Sequence, residues 1–319
     1  MFFYIIFIIL GFWLLMKGAD YLVDGASNIA KKFNIPTIII GLTIVAIGTS
    51  MPELMVSTMS SLSGHSDMSI GNVVGSNNVN LFLILGICAI IRPLAFKKET
   101  EKYENIIAIL ATVLLTVLGN NEKNNIVTRR EGMILLFSCI CFILYNIYIV
   151  KKETNKELLN IENNKVKVSI LKAVFSIVIG IIALKIGGDV VVKYASKIAI
   201  IMGLGEKLIS ITIISFSTSL PELITSINAT LKGDTDMAIG NILGSQIFNI
   251  FLIIGISSIL TPINYSLEYN IDMSFLIFGT SLFAIFPFVG KRHYMTRANG
   301  IIFVLIYICY ITYNIMKII

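Results

Sequence analysis

The sequence predicts an all-α integral membrane protein of ten transmembrane helices, arranged as two inverted five-helix repeats with broken helices at the midplane. Three observations carry that prediction. Hydrophobic residues make up 56% of the 319 residues and charged residues only 14%, where a soluble chain carries about 25% charged. The apolar residues gather in ten runs separated by short polar stretches. One passage occurs twice: Gly48–Gly86 (GTSMPELMVSTMSSLSGHSDMSIGNVVGSNNVNLFLILG) returns as Ser217–Gly255 (STSLPELITSINATLKGDTDMAIGNILGSQIFNIFLIIG), at a constant offset of 169 with 20 of 39 positions identical.

The runs are placed at Phe2–Ala30, Pro36–Leu62, Met68–Ile91, Tyr103–Leu118 and Glu131–Val150, then at Val168–Ala199, Lys207–Leu231, Met237–Leu260, Tyr269–Val289 and Ala298–Met316. As helices they suit a hydrocarbon core about 30 Å thick. A strand barrel would alternate apolar and polar residues over about ten positions, and these runs do not. The first run, with no basic leader and no small-residue cleavage site, reads as a retained span rather than a signal peptide. The repeat extends outward: Gly11, Gly18 and Asp20 recur as Gly180, Gly187 and Asp189, and Pro93 as Pro262. Residues 1–150 therefore form the first five-helix repeat, 151–167 a polar linker and 168–319 the second repeat. Five spans per half is an odd number, so the halves enter the membrane in opposite directions. Transporter sites form between halves related in this way.

The charges fit a membrane reading. With the N-terminus outside, the inner segments hold fifteen Lys and Arg and the outer ones six. The positive-inside rule then makes the linker cytoplasmic and puts both termini outside a plasma-membrane protein. The net charge of +6 sits in short loops with no basic face, so nucleic acid is not an expected partner; the lipid bilayer is. Cys88, Cys139, Cys141 and Cys309 fall in apolar runs and read as packing thiols, without metal-ligand spacing to His65 or His293. No serine–histidine or paired-aspartate set points to an enzyme.

Each copy of the repeat places a glutamate after a proline deep in an apolar run, where a carboxylate is costly. Glu53 lies about ten residues from the Ser60–Ser66 turn, or about 15 Å, near the midplane; Glu222 has the same place in its own half. Pro52 and Pro221 lack an N–H, which frees the carbonyls of Gly48 and Ser217 and breaks each helix. Carbonyl, hydroxyl and carboxylate oxygens together suit a hard cation. A structural alternative is the capping box Ser50-x-x-Glu53 and Ser219-x-x-Glu222, with the serines capping the restarted helix. On the third and eighth runs Asn72, Ser76 and Asn80 share one face, as do Asn241, Ser245 and Asn249; here the alternative is polar glue between helices. Asp67 and Asp236 read as helix caps. Asp20, Asp24 and Asp189 read as local partners of Lys17 and Lys185. Tyr294, Tyr307, Tyr310 and Tyr313 read as lipid-facing or interfacial.

GTSMPELMVS with GNVVGSNNVN, and STSLPELITS with GNILGSQIFN, resemble the two alpha-repeats of the sodium/calcium exchanger (cation/calcium antiporter) family, in its prokaryotic form. The resemblance covers the whole layout. It implies a secondary active antiporter working by alternating access, with Na⁺ and Ca²⁺ as transported ions, no cofactor, and a monomer sufficient for transport. By motif position Glu53 and Glu222 would ligate both ions. Thr49 and Thr218 would add oxygens to Ca²⁺, Ala46, Ser76, Ser215 and Ser245 would serve flanking Na⁺ sites, and Asn80 and Asn249 would line the middle. Ser50 and Ser219 stand beside them. Asn249 stands where potassium-dependent relatives carry aspartate, which argues against potassium coupling. The linker is too short for the calcium-sensing domains of animal exchangers. Two carboxylates match one Ca²⁺ or two Na⁺, and a third Na⁺ on neutral oxygens would make the cycle electrogenic. Ca²⁺ extrusion is the expected direction. The alternatives are proton-coupled or other divalent antiport, and a cation channel with a glutamate ring.

Overall fold

The computed structural model describes residues 2–96, 103–121, 125–157, 169–201, 215–288 and 293–318. Twelve helical segments run through them: α1 (Phe2–Phe33), α2 (Thr37–Thr49), α3 (Met51–Leu62), α4 (Asp67–Ile91), α5 (Asn105–Gly119), α6 (Arg129–Glu157), α7 (Ile170–Ile201), α8 (Ser215–Ser217), α9 (Leu220–Leu231), α10 (Thr235–Leu260), α11 (Tyr269–Ile285) and α12 (Arg297–Ile318). Among the described residues six helices are long and apolar enough to cross a bilayer, or seven if α2 and α3 count as one bent span. This is fewer than the ten runs read from the sequence, for local reasons. Proline splits the second run, α5 has only 15 residues, and α12 is not among the six. The start of the seventh run, through residue 214, lies outside the described residues. So does the linker from residue 158, whose first residues continue α6 to Glu157.

Burial sorts the helices into an inner and an outer set. In α4 and α10, 72% and 83% of the spanning window is buried, against 28% in α1 and α7 and 22% in α6. The outer helices expose large apolar side chains such as Phe3, Ile9, Trp13, Phe137, Leu144, Leu171 and Phe175. A continuous apolar exterior of this kind is unstable in water and suits lipid. The protein is a membrane protein built of helices.

The halves contact each other in exchange-symmetric pairs. α1 lies antiparallel to its counterpart α7. A Cβ on Gly11 would meet the Gly187 carbonyl at 3.0 Å, one on Gly18 the Gly180 carbonyl at 2.9 Å, and one on Gly25 the Ala173 carbonyl at 2.8 Å. One helix steps forward seven residues as the other steps back seven, and only glycine allows backbones this close. Two small ribbons repeat the pattern. β1 (Leu94–Ala95) pairs with β4 (Tyr294–Met295) through Leu94–Met295 and Ala95–Tyr294. β2 (Ile126–Val127) pairs with β3 (Ile263–Asn264) through Val127–Ile263 and Ile126–Asn264. Swapping the halves turns each ribbon into the other, as across a two-fold axis.

The duplicated passage fixes the middle of the fold. α3 and α9 each end in a glycine with positive φ, Gly64 at +82° and Gly233 at +86°, which closes the helix with a left-handed cap. The next helix runs back beside it as α4 or α10. Both of these widen into a π-helical stretch, Val79–Ile84 in α4 and Asn249–Ile254 in α10.

Candidate functional site

Glu53 and Glu222 are both fully buried. Each stands in the first turn of a helix whose N1 or N2 position is proline. Proline suits that position because its missing N–H would have no helical partner there. The break before it falls at Ser50, where the chain bends by 47° between α2 and α3, and at Thr218–Ser219 in the second half. The capping-box reading does not hold. Ser50 and Ser219 occupy the N-cap positions, yet neither side chain makes a cap hydrogen bond. Ser50 Oγ instead donates across the halves to Glu222 Oε1 at 2.9 Å.

Further bonds bring the two breaks together. Ser76 Oγ lies 3.5 Å from Glu53 Oε1 and 3.3 Å from Thr218 Oγ1. Thr49 Oγ1 donates to Asn241 Oδ1 at 3.0 Å, and Thr218 Oγ1 to Asn72 Oδ1 at 3.4 Å, the same bond made by each half to the other. The structure thus gathers Glu53, Glu222, Thr49, Thr218, Ser50 and Ser76 around one point where the halves meet. Ala46 is buried beside them, with its carbonyl accepting from Ser50 N at 3.0 Å and lying 3.3 Å from Thr49 Oγ1. Ser215 opens α8, and its side chain lies outside the described residues.

Asn72 and Asn241 act as the glue that the sequence left open. Asn72 Nδ2 donates to Ser57 Oγ at 3.0 Å, and Asn241 Nδ2 to Ser226 Oγ at 2.9 Å. Their other neighbours on the shared face are different. Glu53 Oε2, Glu222 Oε2, Ser219 Oγ, Ser245 Oγ, Asn249 Oδ1 and both amide atoms of Asn80 are buried with no hydrogen-bond partner in the protein. An unpaired buried polar atom costs about 1–3 kcal/mol. Here seven such atoms fall on the residues that the repeat duplicates. Six of the seven are oxygens, two of them from carboxylates, which is a donor set for a hard cation and unsuited to a soft one.

A cavity of about 740 Å³ borders this point, with Pro52, Pro221 and Thr218 in its wall. Its walls also include Met55 and Met59 of α3, Lys185 and Asp189 of α7, and Asn72. At the equivalent place in the other half, α1 packs on α9, and Asn228 Nδ2 donates to Asp20 Oδ1 at 3.0 Å. Lys232 Nζ reaches Asp20 at 3.1 Å and Asp24 at 2.7 Å. Asp20 and Asp24 are therefore tied to the other half. Lys17, the expected partner, also pairs with Asp20, at 3.8 Å.

Other expectations shift in detail. The cap of α10 is Asp234, which accepts from Met237 N at 3.2 Å, while Asp236 and Asp67 lie in first turns. Cys88 and Cys139 are buried, whereas Cys141 and Cys309 are exposed and so do not pack the interior. Tyr310 turns inward to donate to Asp272 Oδ1 at 2.6 Å and stacks on Phe275. Sequence reasoning missed the cluster of Asn77, Gln246, Thr112 and Thr280 behind Asn249. Its only signal is that Asn77 and Gln246 interrupt an apolar face at matching positions in the repeats.

The model of a family described as "Sodium/calcium exchanger protein" matches residues 3–149 and 172–316. The chain is 32% identical over 287 residues to the inner membrane protein YrbG of Escherichia coli, covering 87% of this chain and 86% of that protein. It is 29% identical over 337 residues to the sodium/calcium exchanger MaX1 of Methanosarcina acetivorans, covering 95% and 96%. A solved structure of the sodium-calcium exchanger NCX_Mj, soaked with Na⁺ and Sr²⁺, superposes with a TM-score of 0.83 at 32% identity, covering 97% of each chain.

Proposed function

The chain belongs to the sodium/calcium exchanger family, and from that premise we propose that it exchanges Na⁺ for Ca²⁺ by alternating access. One observation carries the reading: two fully buried glutamates, one from each half, each with an oxygen that no protein group satisfies. An isolated pair of carboxylates at that depth repels itself and forgoes hydration. One Ca²⁺ or two Na⁺ would neutralise it. In this reading Glu53, Glu222, Thr49 and Thr218 hold Ca²⁺, Ser76, Ser245, Ala46 and Ser215 serve Na⁺, and Asn80 and Asn249 line the centre with Ser50 and Ser219 alongside.

The cavity beside α3 and α7 and the α1–α9 contact at the equivalent place in the other half support alternating access. A site reachable from one side can carry ions only if the contacts exchange sides. The antiparallel α1–α7 pair and the mirrored ribbons support two inverted five-helix repeats and ten spans, because equivalent elements run oppositely. In such an arrangement the cavity and the contact interchange when α1 and α7 shift against the rest. With a third Na⁺ on neutral oxygens each cycle moves one charge, worth about 2.3 kcal/mol per 100 mV. Several Na⁺ moving down their gradient then drive Ca²⁺ out of the cell across the plasma membrane, with the linker in the cytoplasm and both termini outside.

The test is sodium-gradient-driven ⁴⁵Ca²⁺ uptake into proteoliposomes. Uptake is expected to require an outward-directed Na⁺ gradient and to respond to membrane potential. Uptake that ignores Na⁺ but follows a pH jump would replace sodium with proton coupling.

A further inference from the structure

Asn77 and Gln246 hold the same place in the two copies of the repeat, one residue after Ser76 and Ser245 and three before Asn80 and Asn249. Both are fully buried, and they do different work. Asn77 Nδ2 donates to the main-chain carbonyl of Gln246 at 3.3 Å. A carbonyl oxygen can only accept, so this bond fixes which end of the Asn77 amide is nitrogen. The other end, Oδ1, then faces Asn249 and accepts from Asn249 Nδ2 at 2.9 Å. The nitrogen of Asn249 is thereby committed, and its Oδ1 is the end left buried without a partner. Ser245, one turn earlier on the same face, leaves its Oγ in the same condition. Gln246 does not return the service to Asn80. Its Nε2 donates to Thr280 Oγ1 at 3.0 Å and Thr112 Oγ1 at 3.3 Å, and both ends of the Asn80 amide stay unpartnered.

We propose that Asn77 is a positioning residue that locks the Asn249 amide with its carbonyl oxygen toward the ion pocket, while Asn80 is left free to turn. The proposal rests on the reading of Asn249 as a residue facing the transported cation. An amide presents either a carbonyl oxygen, which attracts a cation, or an NH₂, which repels it. Holding the oxygen forward removes the reorganisation that binding would otherwise demand. A divalent ion that gathers six to eight oxygens is the more sensitive to losing one. The two repeats then contribute unequal amides, one set in advance and one that adapts.

The experiment compares Asn77→Leu, Asn249→Ala and the double variant in proteoliposomes, with half-saturating Ca²⁺, half-saturating Na⁺ and maximal rate measured separately. Asn77→Leu is expected to raise half-saturating Ca²⁺ about tenfold, the worth of one hydrogen bond to a charged centre. Half-saturating Na⁺ should change less, and the maximal rate should stay within about twofold. Asn249→Ala is expected to be at least as severe, and the double variant no worse than Asn249→Ala alone. If Asn249→Ala impairs Ca²⁺ binding while Asn77→Leu leaves it unchanged, or if the two penalties multiply, positioning is refuted and the pocket stands. A silent Asn249→Ala overturns the pocket assignment of Asn249 and the proposal with it. Asn77→Ala, read through the same cycle, replaces Asn77→Leu if the leucine variant fails to fold.

Discussion

Glu53 and Glu222 occupy matching positions in two copies of one motif, yet their surroundings are not copies. Glu222 accepts from Ser50, whereas the equivalent Ser219 hydroxyl makes no bond. Ser76 approaches Glu53, whereas the equivalent Ser245 hydroxyl makes no bond. The difference extends beyond the acids. Asp20, Asp24, Asn228 and Lys232 tie α1 to α9. Their counterparts in the other half are Asp189, Lys193, Met59 and Ser63, which cannot form the same ties. The unequal ties at Asp20, Asp24, Asn228 and Lys232 are written into the residues themselves.

Four measurements would break or sharpen this comparison. The largest effect is expected at the glutamates. Glu53→Gln and Glu222→Gln should each lower Na⁺-dependent ⁴⁵Ca²⁺ uptake at least about a hundredfold, since a buried charge contact is worth several kcal/mol. Near-normal uptake by either variant would mean that the two acids do not form one site. Next come Gly18→Ala and Gly187→Ala. The added Cβ would stand 2.8 Å from Leu184 N and 2.8 Å from the Gly11 carbonyl, respectively. Both variants should lose about 1–3 kcal/mol of stability, seen as matched drops in thermal midpoint. A drop at only one of them would show that the α1–α7 contact is not two-fold in solution.

Smaller effects separate the threonines. Thr49→Val deletes a buried donor to Asn241, and Thr218→Val deletes a longer bond to Asn72 beside the cavity. Thr49→Val should weaken Ca²⁺ half-saturation about fivefold, a net hydrogen bond, and Thr218→Val less. Equal losses would erase the asymmetry read from the bond lengths. The smallest effect is expected at Lys232, whose side chain is about a third exposed. Lys232→Gln should change the turnover rate by no more than about fivefold, as for an exposed ion pair, and the change should vanish in about 1 M salt. An effect that survives high salt would show that Lys232 does more than tie α9 to α1.

Much of this was legible along the chain. The offset of 169 exposed the duplication, and Pro52-Glu53 and Pro221-Glu222 marked the breaks and the acids, because a proline and a carboxylate at membrane depth have no cheap structural use. Gly11, Gly18, Gly180 and Gly187 were legible as part of the repeat, though not as the α1–α7 contact they make. Three features were not legible. The serines fit a capping box by spacing, but Ser50 found a better partner in a glutamate 172 residues away. Lys17 pairs with Asp20 as its spacing suggested, but Lys232, the nearer partner, came from the other half. The π-helical stretches at Val79–Ile84 and Asn249–Ile254 leave no compositional trace.

The sequence by itself determined the membrane setting, the repeat, the two breaks and the oxygen chemistry of the pocket. These follow from composition and local spacing, which act over a few residues. Tertiary structure alone decided which serine meets which acid, which helix Asp20 and Asp24 are tied to, and which end of the Asn249 amide is held. Each of those is a contact between halves more than 100 residues apart, and hydrogen bonds between folded halves depend on where the backbone has already been carried.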